Sequence, residues 1–155
     1  MTTPATTSEY CTFWADGLHF GIAVRDVQEV LRYQEMSAAP RAPESVLGLI
    51  NLRGQIVTAI DLRHRLGLST RAADVMPMNV VLRSRNEVVS LLVDDIGEVI
   101  DTAGAPIEPV PSTLPAAVRD VLTGVIALPA AILLVLDGDR TADLPTSPPN
   151  PKGNP

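Results

Sequence analysis

The strongest constraint on the fold of this chain is an internal repeat. The segment Val24–Leu31 (VRDVQEVL) matches Val93–Ile100 (VDDIGEVI), and each follows a predicted β-hairpin. Each copy also has a glycine thirteen residues before an aspartate: Gly48 and Asp61 in the first, Gly124 and Asp137 in the second. Repeated short apolar segments of this kind indicate one structural unit used twice. The copies span roughly 8–68 and 78–139, and we expect them to pack on each other.

The segments between turn signals have the length and composition of β-strands. Tyr10–Ala15 and Leu18–Ala23 flank Asp16-Gly17, a pair typical of a hairpin with a type I′ turn. Asn79–Arg83 and Val88–Val93 form a second predicted hairpin around Arg85-Asn86. Short, frequent strands separated by Gly and Pro favour small β-barrels over βαβ units. The sequence therefore predicts an all-β protein built from two small barrels.

The other elements are predicted with less uniform patterns. Some alternatives remain open, since the apolar spacing fits both a helix and a strand in several short segments. The predictions are a helical turn or bent strand over Val24–Tyr33, a short helix or strand over Val46–Ile50, a strand over Gln55–Leu62, a linker over Leu66–Met78, helical character over Leu114–Leu122, a fully buried strand pair or bent strand over Val125–Leu136, and a disordered Pro-rich tail over Thr141–Pro155.

Charge and apolar content exclude two classes of partner. The net charge is −6, Lys152 is the single lysine, and the arginines are scattered without a basic stripe. Nucleic-acid binding and direct binding to an anionic membrane both need clustered cations, so we expect neither. The longest apolar run, Val125–Leu136, is interrupted by Pro129 and spans about 18 Å as a helix, against about 30 Å for a bilayer core.

Cysteine content indicates the compartment. Cys11 is the only cysteine, so no disulfide can form within the chain. We interpret Cys11, in the apolar run Tyr10–Ala15, as a buried small hydrophobic residue. Met1–Glu9 lacks the basic and apolar regions of a signal peptide. A cytoplasmic protein is the expected reading.

No motif for catalysis, metal binding or a cofactor is apparent. His19 follows a predicted turn and His64 lies in the polar run Arg63–Arg65, so both are expected at or near the surface. Asp94-Asp95 is an adjacent pair that a solvated turn explains. The chain has neither a Gly-rich phosphate loop nor a GxSxG motif. We therefore expect no enzyme activity, no cofactor and no metal.

The polar run Asn51-Leu52-Arg53-Gly54 interrupts an apolar, strand-like segment. A lone buried arginine costs several kcal/mol, so Arg53 needs either a carboxylate partner or a surface position. Glu29 is a plausible partner. In the second copy, Ala127, Pro129 and Ala130 stand at the positions of Asn51, Arg53 and Gly54, so the fold does not need the polar residues there.

Two readings of the predicted Glu29–Arg53 pair remain open. In the first, Glu29 only satisfies Arg53 and the pair is structural. In the second, the pair borders an apolar groove lined by Val27 and Val30, and such grooves bind amphipathic partner helices.

At these residues the chain resembles the CheW family, the coupling proteins of bacterial chemotaxis arrays. The likeness covers about Glu9 to Asp139 and is most specific in G-x-x-N-L-R-G followed by D-L-R, with V-Q-E-V upstream. The residues that carry it are Phe20–Ile22, Val27–Val30, Gly48–Gly54, Ile60–Arg63 and Val93–Ile96.

The resemblance implies two intertwined SH3-like five-stranded β-barrel subdomains with short helical segments, in one CheW-like domain over 8–140. It implies a non-enzymatic adaptor between a CheA-type histidine kinase regulatory domain and the cytoplasmic tip of a methyl-accepting chemoreceptor. An adaptor of a non-chemotaxis pathway, in surface motility or development, is the alternative. The implied partner-binding residues are Val27, Glu29, Val30, Asn51 and Arg53, with Gly48 and Gly54 framing the arginine turn.

Overall fold

A computed structural model of the chain describes residues 9–85 and 87–144. The described residues form ten strands, three short α-helices and one 3-10 turn at Val24–Asp26. The strands are β1 Glu9–Ala15, β2 Leu18–Ala23, β3 Val27–Leu31, β4 Val46–Leu52, β5 Gln55–Asp61, β6 Met78–Ser84, β7 Glu87–Val93, β8 Asp95–Asp101, β9 Leu122–Ala127 and β10 Ile132–Leu136. The helices are α1 Leu62–Arg65, α2 Ala116–Arg119 and α3 Gly138–Ala142.

The ten strands form two five-stranded sheets that exchange strands. The first sheet has the order β8-β1-β2-β10-β9, and the second has the order β3-β6-β7-β5-β4. The first hairpin of each repeat copy therefore lies in the sheet that the other copy completes with its last three strands. The all-β class and the intertwined five-stranded units are confirmed. The predicted subdomains, 8–68 and 78–139, describe the repeat copies but do not correspond to the two sheets.

The turns match their sequence signals. Asp16 and Gly17 have φ of 51° and 79°, so both central residues of the β1–β2 turn are left-handed, as a type I′ turn requires. Arg53 and Gly54 have φ of 51° and 89° in the two-residue turn between β4 and β5. Arg53 thus occupies a conformation that non-glycine residues seldom adopt, at the tip of a hairpin.

One apolar core joins the two sheets. This shared core takes Phe13 and Phe20 from the first sheet and Leu82 and Leu91 from the second, all fully buried. Each sheet also encloses a small cluster of its own. The second-sheet core is formed by Ile50, Leu52, Val57, Ala59, Val81 and Leu92, and the first-sheet core by Tyr10, Ile126, Leu133 and Val135. The shared core makes the two sheets one packed unit.

Several ambiguous or incorrect predictions are resolved by the structure. Val24–Tyr33 is a 3-10 turn followed by strand β3, and Val46–Ile50 is a strand. Val125–Leu136 is a strand pair, but it is not fully buried, since its tip and Ile132 are exposed.

The predicted disorder of the tail is wrong for its first residues. Thr141 is fully buried at the end of α3, and its hydroxyl donates a hydrogen bond of 2.7 Å to the Asp137 carbonyl. The Asp137 side chain accepts a bond from the backbone N–H of Arg140 and so caps the helix. The rest of the predicted disordered tail, residues 145–155, lies outside the described residues. No helix in the described ranges has the length and apolarity needed to cross a membrane.

Candidate functional site

The tip of the β4–β5 hairpin presents Arg53 to solvent. The Asn51 side-chain oxygen accepts a 2.8 Å hydrogen bond from the backbone N–H of Gly54, which closes the turn locally. With the turn fixed, the Arg53 side chain projects outward and is 69% exposed. Asn51 and Gly54 therefore hold the turn that positions Arg53.

Arg53 and Glu29 form an ion pair across the second sheet. The Arg53 Nη2 donates to Glu29 Oε2. The hydrogen bond from Arg53 lowers the pKa of Glu29, against a smaller opposing effect of burial. Glu29 lies on β3 and Arg53 beside β4, and these are the two end strands of the second sheet. The pair thus links both ends of that sheet, while most of the guanidinium stays exposed.

The two valines of the predicted groove lie on the other face of β3. A β-bulge between Val27 and Glu29 sets the register, so Val27 pairs with Leu82, Glu29 with Val81, and Val30 with Val80. Leu82 and Val80 belong to the shared core, whereas Val81 belongs to the second-sheet core. Val27 is half-buried against the shared core, and Val30 is 38% exposed. The predicted single patch is therefore two surfaces on opposite faces of one strand.

Gly48 has a different role from the predicted one. It lies buried in the middle of β4, and not in the arginine turn, because the segment Met36-Ser37 crosses it closely. Ser37 and Leu49 exchange two backbone hydrogen bonds of 2.8 Å at this crossing. Gly124 in the second copy has the same arrangement, with Glu108 bridged to Val125. Both glycines permit a close backbone approach that the fold needs.

We predict that Gly48→Ala destabilises the protein by about 1–3 kcal/mol, because the new methyl group overpacks this crossing. A Cβ at Gly48 would lie 2.7 Å from the Ser37 carbonyl oxygen and 2.8 Å from the Met36 Cβ. Gly54→Ala is the matched control, since its Cβ would have no atom within 4 Å and only the positive φ opposes it. Urea denaturation measures both. If Gly48→Ala lowers the free energy of unfolding no more than Gly54→Ala does, Gly48 is not needed for the close backbone crossing.

The repeat also relates exposed apolar side chains on the two sheets. Ile56, directly opposite Asn51 on β5, is exposed, and its counterpart Ile132 on β10 is exposed as well. Val30 and its counterpart Val99 are both exposed too. Ile56 was not singled out from the sequence, although an apolar residue at an outward-facing strand position was a readable signal. Each sheet therefore presents a similar apolar surface, but only the second adds Arg53.

A partly buried charge network joins the two copies away from this site. Arg63 on α1 donates to Asp94 through Nη2 at 2.7 Å, and Arg71 donates to Asp94 at 3.1 Å and to Asp61 at 3.1 Å. The Asp94 carboxylate also accepts the backbone N–H of Asp16 at 2.7 Å. The solvated turn predicted for Asp94 is wrong: this carboxylate is the centre of the network. The D-L-R segment thus has a structural role at this junction.

The two histidines lie in separate surroundings. His64 Nδ1 is 2.9 Å from the Ser45 hydroxyl, and the His19 ring stacks on Trp14. Within residues 9–85 and 87–144, no group of three or more His, Cys, Asp or Glu side chains is placed to hold a metal ion.

Known proteins are similar to this chain in sequence and in fold. A family model described as the CheW-like domain matches residues 9–145. The chemotaxis protein CheW of Klebsiella aerogenes is 30% identical over 132 residues, which are 85% of this chain and 80% of that protein. The chemotaxis protein CheW of Rhizobium meliloti is 28% identical over 131 residues, 84% of each chain.

A solved structure gives the same architecture. The crystal structure of the scaffolding protein TtCheW from Thermoanaerobacter tengcongensis matches with a TM-score of 0.80 at 24% identity, over 92% of this chain and 97% of that one. This likeness concerns the fold. The family model and the Klebsiella relative together establish that the chain belongs to the CheW-like domain family.

Proposed function

We propose that this chain is a cytoplasmic, non-enzymatic adaptor that couples the tips of methyl-accepting chemoreceptors to a CheA-type histidine kinase. The observation that carries the proposal is the position of Arg53. It is held at a hairpin tip by Asn51 and paired with Glu29, yet 69% of its side chain remains exposed. A pre-oriented but accessible guanidinium suits a contact with a second protein.

The kinase regulatory domain is proposed to bind at the face that carries Arg53. The hairpin that carries the arginine also carries the exposed Ile56, which lies across from Asn51. An apolar anchor beside an arginine is a common composition for the centre of a protein interface. Because Glu29 already orients the guanidinium, less side-chain entropy is lost on binding.

The receptor tip is proposed to bind at the opposite face of β3, where Val30 is exposed and Val27 is half-buried. A receptor tip is a helical hairpin, and an apolar helix face fits an apolar strip of this kind. Placing the partners on opposite faces of one strand allows both to bind together. Modest individual affinities would then add through repeated contacts in an array.

We predict that Val30→Asp weakens binding to a receptor-tip fragment about tenfold or more, because a carboxylate would be desolvated in an apolar contact. Binding to the kinase regulatory domain is expected to stay within about twofold of the wild type. Isothermal titration calorimetry with each purified partner separately measures the two effects. Val75→Asp is the matched control, since Val75 is exposed to a similar extent in the 66–77 connection.

Two results would contradict the assignment of faces. Unchanged receptor binding by Val30→Asp would remove the proposed receptor face. Equal losses for both partners would mean that the two faces do not bind separate proteins.

A further inference from the structure

A second surface, distant in sequence from the Arg53 turn, has the form of an aromatic cleft. It has a volume of about 390 Å³ and opens between the β1–β2 hairpin, the loop before α2, and the start of β10. Its floor is the stacked pair of Trp14 and His19, whose ring centroids are 4.1 Å apart with planes inclined by 8°. Its walls include Pro111, Leu114 and Ile132.

The chemistry of this cleft is flat, apolar and uncharged. Burial lowers the pKa of His19, so the imidazole is neutral at pH 7 and adds a second flat ring to Trp14. The His19 Nδ1 is buried, and no described residue hydrogen-bonds to it. Ile132 contributes an exposed apolar side chain at the rim. Aromatic-lined grooves of this type bind proline-rich segments, whose extended PPII conformation is already formed before binding.

The chain itself supplies a segment with that chemistry. Residues 145–155 read PTSPPNPKGNP and contain two P-x-x-P spacings, Pro145 to Pro148 and Pro148 to Pro151. They follow Leu144, which packs against the shared core, as does Leu114 of the cleft wall. Eleven residues at about 3.1 Å each reach about 34 Å, close to the width of a domain of this size.

We propose that residues 145–155 bind to the Trp14–His19 cleft of their own chain. Covalent linkage gives an effective concentration in the millimolar range, so an intrinsic dissociation constant below that range keeps the cleft largely occupied. The bound segment covers Trp14 and the exposed Ile132. A protein partner that contacts Ile132 can then bind this surface of the first sheet only after it displaces the segment.

The fluorescence of the protein reports directly on this cleft, because Trp14 is the only tryptophan in the chain. Deleting residues 145–155 is expected to raise the acrylamide quenching constant of Trp14 about twofold and to shift its emission to the red. A synthetic peptide of residues 145–155, added to the shortened protein, is expected to reverse both changes saturably. Circular dichroism checks that the shortened protein remains folded.

A matched full-length variant separates proline chemistry from mere length. Substituting Pro145, Pro148, Pro149 and Pro151 with serine keeps the length of the segment but removes the residues that favour the PPII conformation. This variant is expected to behave like the deletion. Quenching that is the same in all three proteins would overturn the proposal. Protection that disappears on dilution of the wild type would also overturn it, because the segment would then bind a second copy.

Discussion

Replacing Arg53 with glutamate is expected to abolish binding to the kinase regulatory domain while leaving the fold intact. The side chain is 69% exposed at a hairpin tip, so its loss removes little packing, and exposed ion pairs contribute little to stability. The new carboxylate would face Glu29, which the structure places as the partner of Arg53, and would repel it. We expect Tm to change by less than about 3 °C and affinity for the kinase domain to fall at least about thirtyfold, measured by calorimetric titration.

Two further variants make this result specific. Arg41→Glu makes the same charge reversal at another exposed arginine, and this variant should bind the kinase regulatory domain with wild-type affinity. Combining Glu29→Arg with Arg53→Glu restores an ion pair of reversed polarity. If the reversed pair recovers binding, the partner needs the ion pair and not a guanidinium at position 53. If it does not, the partner contacts the guanidinium itself. Unfolding of Arg53→Glu would show instead that the residue is structural, contrary to our assignment.

Of the substitutions discussed, Asp94→Ala is expected to lower the free energy of unfolding most. It leaves Arg63 and Arg71 without their shared carboxylate, and the Arg71 side chain is only 7% exposed. Removing one partner from a buried ion pair costs about 3–5 kcal/mol. Each arginine keeps one other carboxylate, Asp16 or Asp61, so we expect about 3 kcal/mol and a fall in Tm of roughly 10 °C. Urea denaturation and calorimetry measure these changes.

The dependence on pH provides an independent check of the same network. Burial alone would raise the pKa of Asp94, but the hydrogen bonds from Arg63, the Asp16 N–H and Arg71 outweigh it, and the net pKa is lowered. A carboxylate with a lowered native pKa stabilises the fold above its unfolded value of about 3.9 and loses this contribution as pH falls through the native value. The difference in the free energy of unfolding between the wild type and Asp94→Ala should therefore become smaller below about pH 4.

The neighbouring aspartate is the control for this prediction. The exposed Asp95 side chain accepts only a local hydrogen bond, from the backbone N–H of Ile96, among the bonds of the described residues. Asp95→Ala should change stability by no more than about 0.5 kcal/mol. Two results would mean that Asp94 is not the centre of the network. One is an equal loss of unfolding free energy in Asp94→Ala and Asp95→Ala, and the other is a stability difference between the wild type and Asp94→Ala that stays the same in acid.

Local signals in the sequence predicted local structure well. The Asp16-Gly17 pair predicted a hairpin whose turn residues both have positive φ, and the repeat predicted equivalent elements in the two halves. These features depend on residues close in the chain or on self-similarity. The exchange of strands between the sheets came only from family resemblance, because nothing in either copy specifies which hairpin completes which sheet.

The features that were missed depend on contacts between distant residues. Arg63 and Asp94 are 31 positions apart and meet only because the sheets bring the copies together. The separation of Val27 from Glu29 onto opposite faces depends on a β-bulge, because residues two positions apart on a regular strand share a face and the bulge has no clear sequence mark. Gly48 was assigned to the arginine turn from the family resemblance, although the matching Gly124 already indicated a role in both copies.

The exchange of strands between the sheets limits how this protein can be divided. A single repeat copy contains one hairpin and three further strands, and these belong to different sheets. Two separate copies could complete each other's sheets only by associating, so the chain has the architecture of a strand-swapped dimer fused into one polypeptide. Because the two halves are fused, neither can fold without the other, yet their sequences are free to diverge. The turn that has Arg53 in one half and Pro129 at the equivalent position of the other half is such a difference.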